Sequence, residues 1–534
     1  MGKYYRDLRE HLKRLEELGK LQRISTEINK DTELMPLVRW QFRGLPESER
    51  KAFMFDNVVD SRGRKYSVPV AVANHAASTD VYAIGMMCEP DEIQSRWTAA
   101  QKNPISPIVV AGGPAQDEIH TGEELKLEGL DEFPIPISTP GFDPAPFLTA
   151  ANWITKDPET GTPNIGNYRA QVKARNRTGL MANVSQHLMF HWRKARSLGE
   201  PLEAAAVIGA APCVGYVAVS KVPYGMDELA IAGGLAGEPL QVVRCKTVNI
   251  EVPATAEIVL EGIISTQQVE PEAPFGEYTG YMGGRTTSTF FEITCITHRK
   301  NPIYNAFISQ FPPSESSKIR QIGYQSVMYN FLRYGCNIPT VTKVALLESG
   351  GSNQYVVVQM KKENPAQPWQ ALNAVAGMTP STGKLIVVVD EDIDPFDADS
   401  VNWALSFRMQ PHRDIRFTEG KMSALAPSAA RPGSDAFENV FPSPNGTSAV
   451  LIDATRKWDF PPVSLPAREY MERARDRWQA EGLPQLSVKA PWYGYSLGNW
   501  TAENEEEAAM AVRGDYYATG EKLAARRVNA DRKK

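Results

Sequence analysis

The segment Glu272-Ala-Pro-Phe-Gly-Glu277-Tyr-Thr-Gly-Tyr281 places two carboxylates five residues apart around Pro274 and Gly276. Proline and glycine together fix a turn, and a fixed turn holds two acids at set positions. Neighbouring carboxylates repel, which raises the pKa of one and keeps a proton donor available near neutral pH. On spacing alone the same segment also reads as a polar surface turn.

Four other segments carry chemistry-bearing side chains. Asn164-Ile-Gly-Asn-Tyr-Arg169 sets an amide five residues before an arginine. Taken alone, it is also a turn leading into a strand. His187 and His191 share one helical face, as in a zinc site. The metalloprotease pattern needs Glu directly after the first histidine, and Leu188 stands there. One of the two histidines remains a candidate metal ligand and the other a packing residue. Glu228 opens an apolar, glycine-containing stretch and would complement a helix dipole. Lys384 opens an apolar strand ending in Asp390, Glu391 and Asp392, which read as solvated loop acids.

The elements around these residues divide into three regions. Leu8, Leu12 and Leu15 recur at helical spacing and Gly19 marks a stop. Strand-like runs at 66–73 and 107–110 make the first region mixed. Turn signals crowd Asp131–Phe147, where five prolines fall, and mark a junction. Val-, Ile-, Thr- and aromatic-rich runs at 205–208, 215–220, 241–248, 256–264 and 289–297 predict a β-rich centre, a barrel or a sandwich. One helix, 186–197, interrupts it. The longest apolar stretch, Ala204–Val219, contains Pro212, is too short to span a bilayer, and reads as buried strand and turn. A helix from Pro312 to Tyr334 leads into a mixed last region with strands at 340–347, 354–360 and 385–389 and helices at 400–407, 467–480 and 502–511.

Composition narrows the class. The chain has 534 residues, 42% apolar and 23% charged, which fits a globular protein of about three domains. Its 58 Lys plus Arg against 63 Asp plus Glu give a net charge of −5, which argues against nucleic-acid binding. Its five cysteines form no CxxC pair, and the N-terminus lacks an apolar signal core, so a reduced, cytoplasmic protein is expected.

Together and in this order, the motifs resemble the UbiD family of reversible decarboxylases that use prenylated FMN. The resemblance runs from the N-terminal helix to the Asp453 region, and Glu272-x-Pro-Phe-Gly-Glu277 is its most specific motif. It implies an α/β (α+β mixed) fold: an N-terminal α/β domain (1–130), a split β-barrel flavin domain (131–312), a linker helix (313–338), a C-terminal α/β oligomerisation domain (339–486) and a C-terminal extension (487–534). It implies Mn2+ held by Asn164, His187 and Glu228, a donor set that suits an octahedral, oxygen-preferring ion. It implies K+ near the backbone carbonyls of Ala218 and Ser220, with Glu228 serving both ions. Gln186 and Arg169 would line the cofactor, Lys384 would contact its phosphate, and Arg169, Glu272 and Glu277 would form the catalytic network. Glu277 would be the proton donor, with Glu272 and Arg169 setting its state.

The implied reaction is non-oxidative loss of CO2 from an aromatic or α,β-unsaturated acid, or its CoA thioester, through a covalent bond between substrate and prenylated FMN. Such a step leaves an sp2 carbanion for which protein side chains offer no electron sink, so a cofactor must supply one. The implied partners are the small acid or aroyl-CoA and CO2, a flavin prenyltransferase that supplies the cofactor, and further copies in a homodimer or homohexamer. An alternative is a flavin- and metal-binding subunit of a larger carboxylase, inactive alone. Ile165, where some members carry Trp, and Lys221 and Tyr224 in the potassium loop depart from family patterns. The basic end, with Lys522, Arg526, Arg527, Arg532, Lys533 and Lys534, reads as a solvated tail or a site for coenzyme A phosphates.

Overall fold

The computed structural model describes residues 3–421, 425, 427–429 and 447–529. Helix Leu8–Glu17 begins where the Asp7 carboxylate accepts the Glu10 N–H at 2.9 Å and ends before Gly19, whose φ is +67°. Its Leu8, Leu12 and Leu15 are buried, as their spacing predicts. They pack over a four-stranded sheet ordered Leu21–Ile24, Ala52–Phe55, Val70–Val72 and Tyr304–Ala306. The last of these strands comes from beyond the central sheet and ties the first region to it. The expected strand at 66–73 is interrupted, with Lys65–Tyr66 joining a different, three-stranded sheet.

The centre is one curled antiparallel sheet of ten strands, a half-barrel. Its path runs Pro163–Asn167, Asn152–Lys156, Leu202–Ile208, Ile258–Ile264, Thr286–His298, Arg177–Leu180, Ala170–Ala174 and Phe147–Leu148. Strand Thr286–His298 has 13 residues, long enough to pair with four others. Glu270–Glu272 lies along its start and Glu118–Thr121 along its end.

Two expectations for this region fail. The run 215–220 is not a strand but the end of helix Pro212–Val219, and a second helix, Glu228–Ala236, packs against it. Every residue of 212–218 is buried, so the run carries no period by which helix and strand differ. The stretch 204–219 is therefore strand followed by helix, and three helices rather than one accompany the sheet, counting His187–Leu198.

Helix Glu315–Asn330, capped by Ser314 and Ser317, leads into a five-stranded sheet. Parallel strands Tyr355–Met360, Leu385–Asp390 and Thr447–Asp453 are flanked by antiparallel Val341–Leu346 and Ile415–Lys421. Ile386 and Val388 face Ala371, Leu372 and Val375 of one helix, while Val387 and Val389 face Val401 and Ala404 of another. Helices thus cover both faces, which is why the strand is continuously apolar. Asp390 and Asp392 are not solvated loop acids. Arg408 grips Asp390 at 2.9 Å and Asp392 at 2.6 Å, and Tyr495 donates to Asp392 at 2.7 Å.

Helix Arg468–Ala480 has no buried residue, and the helices Ala502–Val512 and Tyr516–Ala524 pack on each other. Lys522 and Arg526 both pair with Glu503 there, at 2.9 and 2.5 Å. Arg532, Lys533 and Lys534 lie outside the described residues. Among those described, no helix is long and apolar enough to cross a membrane.

Candidate active site

Arg169 sits between strands Pro163–Asn167 and Ala170–Ala174, and its guanidinium is ion-paired with Glu277. Each of these side chains is about one-tenth exposed. The guanidinium lies 5.3 Å from the Phe275 ring, so the Pro-Phe-Gly turn supplies both the acid and a face against the arginine. Glu272 is fully buried at the end of strand Glu270–Glu272. The Gln171 N–H donates to its Oε1 at 3.3 Å, and the Gln171 side chain accepts the Ala273 N–H at 2.9 Å. Burial pushes the Glu272 carboxyl up, against the pull of Arg169 and of Lys173, whose Nζ is 3.9 Å away. A third acid joins them. Asp143 is buried and pushed up to about 6, and Arg169 is among the groups that pull it back.

The second cluster gathers at three element ends. Asn164 lies on the edge strand Pro163–Asn167, and His187 and Glu228 are the first residues of their helices. His187 Nδ1 is 3.2 Å from Asn164 Oδ1 and 3.6 Å from Glu228 Oε1. Octahedral metal–ligand bonds of roughly 2.1 Å set adjacent ligand atoms about 3.0 Å apart, so small shifts would let all three bind one ion. The Asn164 Nδ2 is buried without a hydrogen-bond partner, while its Oδ1 faces the histidine. Burial pushes Glu228 up, with His187 opposing it, so a cation here would favour the ionised carboxylate. His191 is the packing residue of the pair: its Nδ1 bonds the Thr155 hydroxyl at 2.9 Å, and burial pushes its pKa down to about 4.

Residues 108–312 match the family model described as the 3-octaprenyl-4-hydroxybenzoate carboxy-lyase Rift-related domain. Residues 321–454 match that of its C-terminal domain. The chain belongs to the UbiD family. It is a UbiD-like carboxy-lyase. A protein of Archaeoglobus fulgidus is 32% identical over 85% of this chain and 92% of its own. The UbiD-class enzyme HmfF from Pelotomaculum thermopropionicum, solved in complex with FMN, is 30% identical with a TM-score of 0.73, covering 88% of this chain and 99% of that one. The vanillic acid decarboxylase of Sedimentibacter hydroxybenzoicus, in closed form, is 26% identical with a TM-score of 0.77, covering 90% of this chain and 100% of that one.

In this UbiD-family chain a cavity of about 220 Å3 lies beside the acid network. Arg169, Gln186 and Glu277 line it, and Phe275, Phe307 and Met181 give it apolar walls. Glu272 does not line it. Neither does Lys384, which sits at the edge of its strand and donates to Ser428 at 3.3 Å. Ala218 is in the last turn of helix Pro212–Val219, and the Ser220 hydroxyl donates back to the Val217 carbonyl at 2.8 Å.

Besides Arg169, the cavity holds two further cations, Lys221, noted from the sequence only as a departure in the potassium loop, and Arg320, which the sequence did not mark. Neither is ion-paired with an acid among the described residues. Burial pushes the Lys221 ammonium down to about 7, with Arg320 adding to the push. The Lys221 Nζ meets Asn353 Oδ1 at 3.5 Å, and Arg320 donates to the Gly351 carbonyl at 3.1 Å. Lys221 had a visible signal, a lysine at the close of a wholly apolar run. Arg320, mid-helix, had none.

Proposed function

We propose that this chain catalyses reversible, non-oxidative decarboxylation of an aromatic acid, with prenylated FMN in the cavity and Glu277 as proton donor. One observation carries the assignment of roles. Glu277 lines the cavity on Arg169, whereas Glu272 is fully buried behind it. Relatives solved with FMN or prenylated FMN, and a relative that is a vanillic acid decarboxylase, support the choice of cofactor and substrate class.

The residues present fit the implied groups. Two half-buried cations without acid partners suit a phosphate, so Lys221 and Arg320 would hold the flavin phosphate, with Gln186 beside it. Asn164, His187 and Glu228 would hold Mn2+ as mixed oxygen and nitrogen donors. K+ at the Ala218 and Ser220 carbonyls is part of the same reading. The prenylated flavin supplies the electron sink that side chains lack.

The chain's own residues do the rest. Arg169 stays charged at working pH and orients the substrate carboxylate. Phe275 and Phe307 exclude water from the aromatic ring. Glu277, protonated, gives its proton to the ring carbon that has lost CO2, and its carboxylate takes that proton back in the carboxylation direction. Glu272, drawn by the charges of Arg169 and of Lys173 3.9 Å away, fixes the charge of the network.

The test is protein co-produced with a flavin prenyltransferase. Mass spectrometry should find prenylated FMN, and a screen of aromatic acids in D2O should show deuterium at the product carbon. If Glu277→Gln exchanges as fast as the parent, or the cofactor-loaded protein exchanges nothing, the proposal fails.

A further inference from the structure

We propose that His120, Glu132 and His298 form a structural zinc site, separate from the Asn164–His187–Glu228 cluster. Strand Glu118–Thr121 pairs antiparallel with the end of strand Thr286–His298, setting His120 opposite Ile296 and His298 opposite Glu118. The two histidines are therefore diagonal neighbours on one face of the sheet. Their rings stack at 5.1 Å and 7°, and their Nε2 atoms are 3.0 Å apart. Glu132, closing the turn Gly129–Glu132, brings Oε1 to 3.3 Å from His298 Nε2 and Oε2 to 3.9 Å from His120 Nε2. Zinc–ligand bonds of about 2.05 Å in a tetrahedron put ligand atoms about 3.3 Å apart. The three separations lie around that value, the last two being to different oxygens of the Glu132 carboxylate. Among the described residues, this is the one group of three His, Cys, Asp or Glu whose ligand atoms all lie within 4.8 Å of one another.

The outer nitrogens point to the same conclusion. His298 Nδ1 lies 2.8 Å from the Arg299 carbonyl, which can only accept, so Nδ1 carries the hydrogen and, in the neutral ring, Nε2 presents a lone pair. His120 Nδ1 faces the Glu124 carboxylate at 3.8 Å, which favours the same tautomer. Two lone pairs 3.0 Å apart repel, and a shared cation turns that repulsion into binding. A cavity of about 540 Å3 reaches Glu132 and His298, giving a route for the ion and room for a water as fourth ligand. Its walls also carry Glu118 and Glu128, against Arg64, Lys65 and Lys300, and Arg64 is already paired with Glu128. Two imidazoles and a carboxylate select zinc over a harder ion. The ion would staple the excursion 118–132 to the strand whose other end pairs with that of Glu272.

The test uses the full chain, stripped by chelator and titrated with Co2+ and then Zn2+. One equivalent of Co2+ should give the intense visible band of a tetrahedral site, displaced by Zn2+. Glu228→Gln should keep that band. His120→Ala, whose side chain is 31% exposed and so removable without unfolding, should abolish it and weaken zinc binding at least 100-fold. Absence of the band in the parent, or its persistence in His120→Ala, overturns the proposal.

Discussion

The Glu272 carboxylate fills the space where any side chain at position 179 would begin, and a Cβ on Gly179 would overlap its Oε2. Gly179 lies in strand Arg177–Leu180, opposite Phe290 on the long strand. A glycine inside a strand weakens it, and here the cost admits a close side-chain approach. Gly179→Ala should displace Glu272 from Arg169. Deuterium exchange should fall more than about tenfold, while overpacking costs about 1–3 kcal/mol of stability. Wild-type exchange in a folded Gly179→Ala protein would show that the placement of Glu272 is not needed.

Glu277 and Glu272 should part company in substitution. Glu277 reaches the cavity, so Glu277→Gln removes the donated proton itself. A positioned acid contributes about 10²–10⁴-fold, and that is the expected loss, with prenylated FMN still bound. Glu272→Gln acts through Arg169, so substrate affinity should suffer along with turnover. Measuring kcat and KM for both variants separates the roles. An identical loss confined to kcat in both would mean that Glu272 also handles the proton.

Much of this was legible from local pattern. Leu8, Leu12 and Leu15 showed their helix because one face is buried and the other is not. Glu272 and Glu277 were legible because a single short turn sets both. The helix Pro212–Val219 was not, because burial on every side erases the period. Asp390 and Asp392 were misread because their partners, Arg408 and Tyr495, come from distant segments. The pairing of Lys221 with Arg320 was hidden for the same reason, as a helix of the central region and the linking helix must meet before the two cations share a wall.

Stability should fall in mild acid through buried neutral histidines. His11 is fully buried, its Nε2 is 2.8 Å from the Asn74 carbonyl, and burial pushes its pKa down from 6.5 to about 4. The unfolded chain takes up a proton near pH 6.5 that the folded chain refuses until about pH 4. Its stabilising contribution is therefore present above pH 6.5 and lost as pH falls toward 4. His11→Gln keeps a donor for Asn74 without a titrating group. Between pH 7 and 5 the wild type should lose about 2 kcal/mol relative to this variant, read by urea unfolding. Parallel pH profiles for the two proteins would refute the account.

Lys221 predicts a proton coupled to cofactor binding. Burial holds its pKa near 7 in the cavity, so at pH 8 the empty protein carries it mostly neutral. A phosphate beside it favours the ammonium and raises that pKa. FMN binding at pH 8 should then take up close to one proton, and affinity should weaken as pH rises beyond 7. Calorimetry in buffers of different ionisation heat counts the proton directly. Lys221→Met should abolish the uptake and weaken FMN binding by about tenfold or more, since a hydrogen bond to a charged group contributes about 1.5–3 kcal/mol. Lys384, half-buried just before its strand and outside the cavity lining, should leave both the proton count and the affinity unchanged when replaced by Met. If Lys384→Met removes the proton and Lys221→Met does not, the phosphate sits at the other lysine.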